Sequence, residues 1–118
     1  MNTAQIILNQ IKATDRFAMM AWGATQLQAE GQHKHYSGAL HFKVNGLACK
    51  RANIVIKHNQ ASDMYELEMW KMKKGEPFYM KADFNIFADQ LVSVLDQWIE
   101  GKAGKDLTLQ EAWTGIAQ

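Results

Sequence analysis

At 118 residues the chain has the length of one domain, enough to bury a single core, and with 47% hydrophobic and 21% charged residues its composition is that of a globular protein. The net charge is only +1 but unevenly spread: residues 31–81 hold nine Lys or Arg against four Asp or Glu, and residues 82–118 two against six. No apolar run of about 18 residues exists to cross a membrane as a helix, the start lacks the basic and apolar stretches of a secretory signal, and the lone Cys49 cannot form an intramolecular disulfide, so a reducing cytoplasm is expected.

The first element is expected to be a helix over about residues 4–13, capped by Thr3, with Ile7, Leu8 and Ile11 on one face and a break at Asp15. From Arg16 the pattern alternates, with Phe17, Met19 and Ala21 against Met20, Trp22 and Ala24, and reads as a strand running to Leu27. A polar loop from Glu30 to Gly38 comes next. Leu40, Phe42 and Val44 then alternate with His41 and Lys43, and Asn45-Gly46 carries the signature of a type I′ hairpin turn, because both residue types tolerate positive φ.

Ala52, Ile54 and Ile56 form the next alternating run, residues 58–63 a second turn, and Tyr65, Leu67 and Met69 alternate with Glu66, Glu68 and Trp70. Lys73 to Pro77 makes a third turn before Phe78, Met80, Ala82 and Phe84 alternate with Tyr79, Lys81 and Asp83. From about Asn85 the period becomes helical, with Phe87, Leu91, Val94, Leu95 and Trp98 on one face and Gly101 at the expected C-cap. A linker leads to Thr108–Glu111, a capping box that should open a last short helix carrying Trp113 and Ile116. The whole reads as one α+β domain over residues 1–118: an antiparallel meander of four to five strands, with an N-terminal helix and one or two C-terminal helices packed on one face.

No stretch carries a catalytic or cofactor motif. His33 and His35 could present two imidazoles to one ion, but a zinc site wants three or four ligands, and convergence of His41, His58 or Cys49 is not evident from their spacing. Gly101 to Lys105 fails as a phosphate loop, since it comes after a helix and Asp106 stands where Ser or Thr must ligate Mg²⁺. Glu66 and Glu68 fit a solvated sheet face with Lys57 and Lys81 as cross-strand partners. The expectation is therefore a protein that is not an enzyme and needs no metal or cofactor.

Two binding surfaces stand out. Trp70, Tyr79 and Trp113 are the candidate anchors of a protein interface, on the outer sheet face and the terminal helix. The same face interleaves Lys43, Lys57 and Lys81 with Trp70 and Tyr79, which is how sheet platforms hold single-stranded nucleic acid, although Glu66 and Glu68 would repel its backbone. A homodimer through a sheet edge or the oppositely charged segments is a further arrangement the sequence allows.

The succession Phe42 to Gly46, Asn53 to Asn59, Asp63 to Tyr65 and Asp89 to Glu100, preceded by Arg16 to Gly23, resembles small uncharacterised proteins encoded by phages and prophages, over about residues 16–100. The resemblance implies an accessory protein that binds and modulates or inhibits an unidentified host protein, or manages nucleic acid. Its motifs are structural, a hairpin turn and a core helix, and carry no functional residue over.

Overall fold

The computed structural model describes residues 2–46 and 51–101. Helix α1 spans Thr3–Thr14. Its N-cap is Asn2, whose side chain accepts the Gln5 backbone N–H at 2.8 Å, which leaves the Thr3 hydroxyl to a longer-range task. Ala4, Ile7 and Ile11 share its buried face. The strand expected over Arg16–Leu27 forms only from Thr25 onward, and the residues before it do not extend. The Asp15 carboxylate accepts the Phe17 N–H at 3.0 Å and starts a turn, and a second helix, α2 (Ala18–Ala21), comes directly after. Ala18 and Trp22, four apart, are buried, whereas Phe17 and Met20 are exposed, so the apolar residues here obey helical spacing rather than alternation.

Beyond α2 the chain forms five strands: β1 (Thr25–Glu30), β2 (Tyr36–Val44), β3 (Ala52–Asn59), β4 (Met64–Lys73) and β5 (Glu76–Ile86). They make one antiparallel sheet in the order β1-β2-β3-β4-β5, the expected meander. The register sets Leu40, Ile56 and Leu67 in one cross-strand row and Phe42, Ile54 and Met69 in the next. All six are at most 3% exposed and face the helices. A 3-10 turn (Ala88–Gln90) leads into α3 (Leu91–Glu100), which buries Leu91, Leu95, Trp98 and Ile99 and ends at Gly101 in the left-handed conformation, φ 73°. The core is thus one layer of helices on one sheet face.

The tight turn expected at Asn45-Gly46 lies elsewhere. Val44 pairs with Ala52, which leaves residues 45–51 between the strands, too many for a two-residue turn. The Asn45 N–H instead donates to the Trp22 carbonyl at 2.8 Å, and Gly46 presses against Ile99 of α3, where a Cβ would collide with both the side chain and the backbone. The two-residue turn occurs at Lys74-Gly75: Lys73 pairs with Glu76, and the central residues have φ 53° and 81°, as a type I′ turn requires. Pro77 accordingly lies in β5, an edge strand, where a missing N–H is tolerated.

Candidate functional site

The sheet face turned away from the helices is built from three cross-strand rows. The first runs Lys43, Asn53, Trp70 and Tyr79 across four strands. The second holds His41, Val55, Glu68 and Ala82, and the third Ala39, Lys57 and Glu66. Lys43, Trp70 and Tyr79, which the alternation had marked as binding candidates, therefore share one row, because directly paired residues belong to the same side of a sheet. Tyr79 holds that position by its backbone pairing; its side chain lies outside the described structure. Trp113 and Cys49 also lie outside the described residues.

Lys81 is not on this face. Met80 is an extra residue where β5 pairs with β4, so Tyr79 opposes Trp70 but Lys81 opposes Met69, a core residue. The bulge turns Lys81 to the helix-packed side, at an exposed edge beyond the helices' cover. Lys57 does lie on the outer face but is engaged. Its Nζ donates to Glu68 Oε2 at 2.9 Å and lies 5.1 Å from the centroid of the Tyr36 ring. Burial pulls its pKa down, and the Glu68 hydrogen bond and charge outweigh that and hold it above the ordinary lysine value.

The Tyr36 hydroxyl donates to Glu66 Oε1 at 2.7 Å, and Asn59 donates to Glu66 Oε2 at 3.3 Å. That acceptor carboxylate, with burial second, raises the Tyr36 pKa, since a phenolate would face a negative charge. Near the first row, His41 Nε2 lies 3.2 Å from Asn53 Oδ1, and its ring packs 5.9 Å from that of Trp70. Small residues are closed off beneath these larger ones: Asn53 is 5% and Val55 8% exposed. Met72, two residues beyond Trp70 on the same face, is 57% exposed.

A second cluster, on the helix-packed side, joins residues that the sequence does not mark as a group. Ser37 Oγ lies 2.6 Å from His58 Nδ1, and His58 Nε2 lies 2.7 Å from Asp63 Oδ1. The Thr3 hydroxyl of α1 reaches Ser37 Oγ at 3.1 Å and Ser37 O at 3.2 Å. These groups line a pocket of about 370 Å³, together with Ile6, Gln10 and Tyr65. The sequence marks His58 and Asp63 as the ends of a turn, with His58 an extra metal-ligand candidate, and Ser37 as a loop residue; the spacing that unites them is set by pairing between strands. His33 and His35 are exposed, and no group of three or more metal-binding side chains occurs among the described residues.

No family model matches the chain, nor does any curated protein or solved structure.

Proposed function

We propose that the protein works by binding another protein through the outer sheet face, with Lys43, Trp70 and Tyr79 of the first row at the centre of contact. The observation that carries this reading is the row itself. It sets a half-buried tryptophan beside the exposed Met72, with Lys43 at one end and a rim of polar groups that already satisfy one another, Lys57 with Glu68 and Tyr36 with Glu66. An aromatic anchor surrounded by a polar rim is the usual anatomy of a protein interface. The phage or prophage kinship implied by the sequence resemblance belongs to the same proposal and would make the partner a host protein that this chain modulates or inhibits.

Single-stranded nucleic acid is the weaker reading, because it needs cations that are free to track phosphates. Lys57 is held by Glu68, Lys81 projects to the other side, and the carboxylates of Glu66 and Glu68 stand on the platform. A two-fold dimer by β5 edge pairing would meet Pro77, the charge of Lys81 and two bulges, the devices by which edge strands resist pairing.

The test compares wild-type protein with Trp70→Ala and Phe87→Ala in capture from host lysate, with nuclease treatment and at low and high salt. The expected result is one protein retained through nuclease and salt, lost with Trp70→Ala and kept with Phe87→Ala, an exposed site off this face. Recovery of nuclease-sensitive, salt-sensitive material alone would instead establish the nucleic-acid reading.

A further inference from the structure

We infer that Ser37 is a nucleophile activated by His58 and oriented by Asp63, and that the pocket beside α1 accepts a small acyl ester and transfers its acyl group to the Ser37 oxygen. This site lies on the helix-packed side and shares no residue with the row on the outer face.

The polarity of the hydrogen bonds is the first argument. In the tautomer that carries its proton on Nε2, His58 donates to Asp63 Oδ1 across 2.7 Å. In the neutral ring Nδ1 is then an acceptor, and the Ser37 hydroxyl donates to it across 2.6 Å. That is the arrangement in which a histidine takes the proton of an attacking serine, and the logic is recognised by roles and geometry, not by chain order. The two ring nitrogens are exchanged relative to the usual hydrolase arrangement, which leaves the direction of proton transfer unchanged.

The backbone supplies the second argument. Tyr36 pairs with Asn59 and Gly38 with His58, so Ser37 is a bulge residue with no cross-strand counterpart. Its side chain is thereby re-aimed toward α1 and the pocket, a use of bulges that recurs beside active sites. Gly38 then allows the close approach of Thr3, since a Cβ there would lie 2.8 Å from Thr3 Cβ and from the Glu30 carbonyl. Thr3 opens α1, so its hydroxyl and the positive end of a helix stand beside the Ser37 hydroxyl, a field that favours negative charge at the pocket. The hydrogen-bonded groups border a pocket of about 370 Å³ that Ile6, Gln10 and Tyr65 also line, which gives a small ester room beside Ser37.

In the reaction, Ser37 Oγ attacks the ester carbonyl carbon as its proton passes to His58 Nδ1. The carbon–oxygen bond to the leaving alcohol breaks, and the alcohol departs with that proton. Water, deprotonated by His58, then attacks the acyl-serine, releasing the carboxylic acid and restoring the Ser37 hydroxyl. His58 is 19% exposed and Asp63 90% exposed, so water weakens the orienting charge. The activation from His58 is accordingly expected at the low end for general bases, about a hundredfold.

The experiment treats the full chain with p-nitrophenyl acetate and, separately, a fluorophosphonate, and maps the adduct by peptide mass spectrometry. Wild type, Ser37→Ala, His58→Gln and Asp63→Asn are compared, with circular dichroism reporting the fold of each. The expected result is an adduct on Ser37, absent in Ser37→Ala and formed about a hundredfold more slowly in His58→Gln. Asp63→Asn, a change at an exposed turn, guards against loss of fold and should slow labelling while the spectrum is unchanged. A folded wild-type protein that is unlabelled at Ser37, or variants Asp63→Asn and His58→Gln that are labelled there at the wild-type rate, overturn the inference.

Discussion

The Trp22 indole N–H donates to Asp96 Oδ1 at 2.9 Å, joining the segment after α2 to α3 across 74 residues of sequence. Trp22 is fully buried and stacks parallel to Phe42 with ring centroids 6.5 Å apart, so this carboxylate satisfies a donor that water does not reach. Asp96→Ala leaves the indole N–H without this acceptor and should cost about 1–3 kcal/mol, read as a lower urea midpoint. Asp96→Asn, which keeps a carbonyl acceptor, should lose less.

Gly46 should tolerate no side chain. A Cβ at this position meets both the Ile99 side chain and the Ile99 backbone, so Gly46→Ala forces α3 away from the sheet end. A loss of about 1–3 kcal/mol is expected from such overpacking. Because the helix backbone is part of the obstacle, Ile99→Ala in the same chain should fail to restore the urea midpoint.

The β4–β5 turn offers a test in both directions. Gly75 has φ 81° with no heavy atom near a notional Cβ, so Gly75→Ala meets backbone strain alone and should cost about 1–2 kcal/mol. Lys74 has φ 53°, which asparagine adopts more readily, and Lys74→Asn should raise the thermal midpoint.

Alkaline pH should unfold the protein through the outer-face network. Tyr36 and Lys57 both hold their protons more tightly in the fold than their ordinary values of 10.0 and 10.5 imply, chiefly through Glu66 for the tyrosine and, against burial, Glu68 for the lysine. Above those ordinary values the unfolded chain therefore binds fewer protons than the folded one. Stability is full below that range and declines as pH rises through the folded pKa values. Tyr36→Phe should make the decline shallower, checked by urea midpoints over an alkaline pH series, and Glu66→Gln should bring tyrosinate absorbance in at lower pH.

Sequence alone determined the framework. Leu40, Phe42 and Val44, Ala52, Ile54 and Ile56, and Tyr65, Leu67 and Met69 alternate within single strands, and Leu91, Leu95 and Trp98 repeat at helical spacing up to Gly101. Such periods are local, because each side chain's direction is fixed by its neighbours along the chain, so the meander, the core and the outer-face placement of Lys43, Trp70 and Tyr79 were legible. The tertiary structure decided the features that no local period encodes. The alternation from Arg16 to Ala24 gave way to a turn and helix α2 because Trp22 gains a buried place on Phe42 and an acceptor in Asp96. Asn45-Gly46 lost its tight turn to the packing of α3. Two bulges did the rest: the extra Met80 turned Lys81 away from the outer face, and the inserted Ser37 was aimed at His58. One inserted residue reverses the face of every later residue in its strand, and whether it is inserted depends on pairing with a partner strand, so no alternation read along one chain segment can reveal it.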